Sequence, residues 1–132
     1  MRVDRLVANA AQLDRPESGV TDLVIRAVAA AHRQVPQLAV AHVEDGSSGI
    51  PISDPGRFGV EEAAPIVPPG QSAALAIGAV RDEPVIDGGA VVPGKVLTLT
   101  LSVRPGRVDD VQASRWLAVL VALLERPEWL LD

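Results

Sequence analysis

The sequence predicts an α+β fold: a mixed or antiparallel sheet packed by two main helices. Three observations carry that expectation. Two long segments, Val20–Gln34 and Val111–Glu125, place apolar residues at helical spacing along one stripe. One segment, Lys95–Val103, alternates Leu and Thr with the period of a strand. The order is helices, then strands, then a helix, rather than alternating strand and helix, so the helices gather on one face of the sheet.

Taken in order, Val3–Leu13 reads as a short helix, with Asp4 as its cap and Leu6, Val7, Ala10 and Leu13 on one face. Asp14–Gly19 is a turn. Helix Val20–Gln34 follows, with Thr21 as a cap and a stripe of Leu23, Val24, Ala27, Val28, Ala31 and Val35, and Pro36 ends it. Leu38–Val43 reads as a strand and Glu44–Gly49 as a turn cluster. Ile50–Ser53 is a short strand, and Asp54–Gly59 a loop. Ala64–Gln71, with Pro65, Pro68, Pro69 and Gly70, is extended but poorly paired. Ser72–Val80 is small and apolar on both faces, as in a buried strand. Val85–Val92, with Gly88-Gly89 at its centre, has hairpin chemistry. Lys95–Val103 is the alternating strand, ended by Arg104-Pro105-Gly106. The closing helix, Val111–Glu125, is capped by Asp109 or Asp110. It buries Trp116, Leu117, Leu120, Val121 and Leu124, with Val119 and Leu123 widening the face. Pro127 opens a last short helix, Glu128–Leu131.

Composition narrows the function classes. The 132 residues, 48% of them apolar, suit a single domain, 1–132, with a core of its own. Only Phe58, Trp116 and Trp129 are aromatic, so that core is built from Val, Leu, Ile and Ala. A net charge of −5 argues against nucleic acid and anionic membranes as partners. There is no Cys, hence no disulfide, thiol nucleophile or thiolate metal site, and no metal is expected. No signal peptide or membrane span is legible, and the expected location is the cytoplasm.

The segment Val96-Leu97-Thr98-Leu99-Thr100-Leu101-Ser102-Val103-Arg104-Pro105-Gly106-Arg107-Val108-Asp109-Asp110-Val111 resembles the active-site segment of the dihydrolipoyl acyltransferases, the catalytic core of 2-oxoacid dehydrogenase complexes. There a Leu-rich strand ends in Ser-x-Asp-His-Arg-x-x-Asp-Gly and feeds the last long helix. Ser102 keeps the Ser and Asp109 the second Asp. Arg104 stands for the first Asp, Pro105 for the catalytic His, Gly106 for the Arg and Asp110 for the Gly. Other stretches are similar to the family in the same order: Val20–Ala29, Gly49–Gly59, Pro65–Ala73, Ala76-Ile77-Gly78 and Arg81–Val85. The resemblance implies a cut-down chloramphenicol-acetyltransferase-like domain. It lacks the family's long insert between Val43 and Ile50, and its lipoyl and subunit-binding domains. It implies an oligomer too, a trimer with its site between subunits.

In the family a His takes the proton of a thiol, mostly protonated at neutral pH, as the acyl group passes between dihydrolipoamide and CoA. A neighbouring subunit's hydroxyl stabilises the oxyanion. Pro105 exchanges no proton, and removing such a base costs about 10²–10⁴ in rate. By resemblance, Ser53 matches the oxyanion hydroxyl, although a cap of the Asp54-Pro55-Gly56 turn explains it as well. Asp109 matches the loop Asp or simply caps a helix. Arg104 and Arg107 bring cationic charge that could hold an anion, or form a solvated loop face. Ser53, Arg104, Arg107 and Asp109 are thus the candidate pocket. His32, placed on the polar side of its helix, and His42 are the only histidines that could replace the base; each also reads as an ordinary surface or strand histidine. Asp82, Glu83 and Asp87 read as hairpin surface charges.

Three functions fit this pattern. The first is a non-catalytic relative with a structural or assembly role, bound to a full-length acyltransferase or dehydrogenase component. The second is a repurposed enzyme that uses the intersubunit pocket on an acyl or natural-product intermediate. The third is an acyl-CoA-dependent acyltransferase with a displaced base. No cofactor is required by the residues; CoA or an acyl thioester enters by resemblance alone.

Overall fold

The computed structural model describes residues 1–13, 19–36 and 50–128. The Leu38–Val43 strand, the turns at 14–18 and 44–49, His42, Trp129 and most of the last short helix lie outside the described residues.

Three helices and five strands are described: α1 (Asp4–Ala10), α2 (Gly19–Gln34), β1 (Ile52–Ser53), β2 (Ala73–Ile77), β3 (Arg81–Asp87), β4 (Ala90–Val96), β5 (Leu99–Val103) and α3 (Asp110–Glu125). β1 runs parallel to β2, and β5 pairs with β2 antiparallel, giving a mixed sheet ordered β1-β2-β5. β3 and β4 form a separate hairpin. All five residues of β2 are buried, as the small apolar sequence Ala73–Ile77 demands of a central strand.

Register decides which side chains meet the helices. Ala73, Leu75 and Ile77 join the core cluster and pair with Val103, Leu101 and Leu99, which pack against the same cluster. The Leu97-Leu99-Leu101 face predicted from the alternation is therefore the face toward the helices. α2 contributes Leu23, Val24, Ala27, Val28 and Ala31, and α3 contributes Ala113, Trp116, Leu120 and Leu124. Leu117, Val119, Val121 and Leu123 are only partly buried, so the buried stripe of α3 is narrower than expected. α2 meets α1 closely: a Cβ on Gly19 would lie 2.7 Å from the Ala10 carbonyl oxygen. Among the described residues no helix is long and apolar enough to cross a membrane.

Two local expectations change. Lys95–Val103 is not one strand. Val96 ends β4 and Leu99 begins β5, because the chain changes partner between them. Leu97 N–H donates to the Met1 carbonyl at 3.0 Å and Val3 N–H to the Lys95 carbonyl at 2.8 Å, whereas Leu99–Val103 pairs with β2. Neither do Asp4 and Thr21 cap their helices. The Asp4 carboxylate accepts from the Lys95 N–H (2.9 Å) and Arg2 Nε (3.0 Å), tying α1 to β4. The Lys95 bond, more than the neighbouring Arg2, holds its carboxyl below the usual range. Thr21 lies inside α2 and its hydroxyl donates to Asp54.

The hairpin bears out its sequence chemistry. Gly88 (φ 58°) and Gly89 (φ 83°) both take positive φ, as a type I′ turn requires. Pro84 lies opposite Pro93. Counting from the closing pair Asp87–Ala90, this is a non-hydrogen-bonded pair, so neither proline removes a ladder bond and both blunt the outer edges. Asp82, Glu83 and Asp87 are surface charges, paired with Lys95 (2.6 Å), Arg81 (2.5 Å) and Arg2 (3.2 Å).

Candidate functional site

The segment after β5 is a compact turn. Arg107 N–H donates to the Arg104 carbonyl at 3.2 Å, and Gly106 takes φ 84° to close it. Pro105 is exposed in this turn, and Val108 just after it is buried. Asp109 has extended φ/ψ and its carboxylate accepts from the Val111 N–H at 3.0 Å. It is the N-cap of α3, the simpler of its two readings.

Arg104 departs most from expectation. It is neither a free cation nor a solvated loop face. Its Nε donates to the Gln71 carbonyl (3.0 Å), and one terminal nitrogen to the carbonyls of Pro68 (3.1 Å) and Val67 (3.3 Å). Its backbone N–H donates to the Ser72 carbonyl at 2.8 Å. The planar guanidinium fork thereby fastens the proline-rich 64–71 segment, which has no strand partner to satisfy those carbonyls. Arg107 is exposed and reaches the Gly70 carbonyl at 3.4 Å. A local pattern could not reveal this clamp, because its partners lie more than thirty residues away.

Ser53 is elsewhere. It is exposed at the end of β1, in register with Ala76, which pairs with Thr100. Val103, the last residue of β5, lies two strands across and three residues further on, roughly 14 Å from Ser53 at ~4.8 Å per strand and ~3.3 Å per residue, and Pro105 follows in the turn beyond it. One chain brings Arg104, Arg107 and Asp109 together but leaves Ser53 out. The position capping the Pro55–Phe58 turn is Asp54, without a side-chain cap bond, so Ser53 is not the cap either. Asp54 instead accepts from Thr21 Oγ1 at 2.5 Å, at the rim of a cleft of about 190 Å³ that α2 forms with Arg57, Ile77, Gly78 and Leu97. Sequence reasoning missed this Thr21–Asp54 link, and no local signal marks it.

His32 is not on a polar side. Its Nδ1 accepts from Trp116 Nε1 at 3.1 Å, with ring centroids 5.4 Å apart. Burial pushes its pKa below the usual value. With one nitrogen occupied and the other buried, it has no route to a substrate proton. Of the two histidines that could replace the base, His32 is thus engaged in the helix packing and His42 lies outside the described residues.

A sequence model of the 2-oxoacid dehydrogenases acyltransferase (catalytic domain) matches residues 40–131. The dihydrolipoyllysine-residue acetyltransferase component of the acetoin cleaving system of Bacillus subtilis is 36% identical over 76 residues, which are 58% of this chain and 19% of that protein. A probable dihydrolipoamide acetyltransferase of Listeria monocytogenes superposes with a TM-score of 0.77 at 18% identity, covering 95% of this chain and 81% of that one. The cubic core of the pyruvate dehydrogenase multienzyme complex superposes with a TM-score of 0.55 at 31% identity, over 61% of this chain and 33% of that one. The chain spans about a fifth of the length of the curated relatives it matches. With the match to the family model covering more than half of its residues, the chain belongs to the 2-oxoacid dehydrogenase acyltransferase family, as an acyltransferase-like catalytic-domain chain.

Proposed function

We propose that this protein is a non-catalytic member of the acyltransferase family with a structural or assembly role. The observation that supports it is the turn after β5. Pro105 occupies the position of the family's base, Arg104 is engaged by three backbone carbonyls, and Asp109 caps α3. The guanidinium of Arg104 and the carboxylate of Asp109 thus have structural tasks. Acyl transfer from a thiol at neutral pH needs a proton acceptor, and this turn supplies none. The separation of roughly 14 Å between Ser53 and the end of β5 is in keeping with a site shared between subunits. A homotrimer is the proposed assembly, as is association with a full-length acyltransferase or dehydrogenase component, and one 132-residue domain is the proposed unit. CoA or an acyl thioester would be at most a retained ligand, and the cytoplasm is the proposed location.

Two measurements test this reading. Transfer between acetyl-CoA and dihydrolipoamide should stay at the uncatalysed rate for the purified protein. Native mass spectrometry should show a trimer, or a mixed assembly once a full-length acyltransferase is added. Turnover that disappears in His42→Ala would replace the proposal with a displaced base. Turnover on another acyl substrate that is lost in Ser53→Ala would replace it with a repurposed enzyme.

A further inference from the structure

The packing of α2 on α3 contains one polar contact that an assembly role does not explain. Trp116 is fully buried and donates its indole N–H to His32 Nδ1 across the helix pair. An indole nitrogen can only donate, so Nδ1 must carry a lone pair and the proton of the neutral ring must sit on Nε2. Nε2 is buried, without a hydrogen-bond partner among the described residues. A second ring proton would turn Nδ1 into a donor facing a donor, and would put a charge between helices that otherwise meet through Ala27, Val28, Ala31, Leu120 and Leu124.

We propose that the His32–Trp116 pair makes the packing of α2 against α3 acid-sensitive: closed while the imidazole is neutral, loosened when it takes a proton.

Among the described residues, no charged group bonds to the ring to offset that charge. On α1, Asp4 is engaged by Arg2 and Lys95, and Arg5 by Glu128. Asp22, Arg26 and Arg33 on α2 itself, and Asp110, Arg115 and Glu125 on α3, make no bond to the ring. The sheet presents Leu75, Ile77 and Leu97. Burial therefore dominates, and it lowers the folded-state pKa. The unfolded chain then binds the proton more readily. The contribution is fully present above the ordinary histidine value and is lost as the pH falls from there toward the folded one. Each unit of depression lowers the folded-to-unfolded ratio by about tenfold.

The test is NMR of the ¹⁵N-labelled full chain between pH 7.5 and 5.0, with the Trp116 indole resonance assigned by its absence in Trp116→Phe. At neutral pH the ring proton of His32 should reside on Nε2, and on acidification the Trp116 N–H should shift and lose protection from exchange. In parallel, His32→Asn places an uncharged acceptor near Nδ1. Wild type should lose more of its folded-to-unfolded ratio over this range than that variant, by the factor that the His32 depression sets at about tenfold per unit. A proton found on Nδ1, an indole resonance that does not move, or equal pH dependence in both proteins would overturn the proposal. The tautomer and the indole signal are read on wild type, so they decide even if a variant fails to fold.

Discussion

Replacing Arg104 with Met removes the guanidinium while keeping an unbranched stem. Three bonds disappear, to Gln71 (3.0 Å), Pro68 (3.1 Å) and Val67 (3.3 Å). Arg104 is half-buried, so water replaces part of what is lost. At about 1 kcal/mol for each of the two shorter bonds and little for the longest, the loss is ~2 kcal/mol. That raises the local opening equilibrium of the 64–71 segment about 30-fold. The reporter is the Gln71 amide, which donates at 3.1 Å to the Pro68 carbonyl that Arg104 also holds. The control is the Leu75 amide, bonded to Pro51 at 2.9 Å within the sheet. The Arg104 backbone bond to Ser72 survives the substitution, so the β2–β5 register is kept. Native-state hydrogen exchange should accelerate at Gln71 and not at Leu75. Unchanged exchange at Gln71, or equal acceleration at both sites, would refute a local clamp.

Gly78→Ala should cost about 3 kcal/mol or more in a thermal melt, since its Cβ would fall inside the van der Waals shell of the Glu61 carbonyl oxygen; a cost under 1 kcal/mol would show that the 61–78 contact yields freely. Asp109→Ala should lose about 1 kcal/mol in urea unfolding through the missing cap on Val111, and Asp109→Asn distinctly less. Asp4 has a lowered carboxyl pKa, chiefly through the Lys95 N–H, so its contribution is whole above its usual 3.8 and fades as the pH falls through the folded value. Melting wild type and Asp4→Asn at pH 7 and again near pH 2.5 should show the wild-type advantage shrinking with acid, and a constant gap would contradict the assignment.

The elements were legible where local physics suffices. Helical spacing located α2 and α3 to within a residue, and Gly88-Gly89 named its own turn. Leu97, Leu99 and Leu101 were placed on the correct face by period alone. Legibility failed where a residue had two partners of comparable strength. Asp4 and Thr21 look like caps, but Lys95 and Asp54 compete for the same oxygens, and tertiary proximity favours them. His32 next to Arg33 looks solvated, yet its position on α2 turns it toward Trp116.

The sequence by itself determined the α+β class, the family, and the absence of a histidine after the Leu-Thr strand, because these depend on residue identity, period and order along the chain. Only the tertiary structure decided what fills that place. It put the Arg104 guanidinium against the carbonyls of residues 67–71, split the long strand at Leu97-Thr98 by offering each half a different partner, and left Ser53 at the far end of the sheet from Pro105. A hydrogen bond depends on distance in space, and a sequence records only distance along the chain.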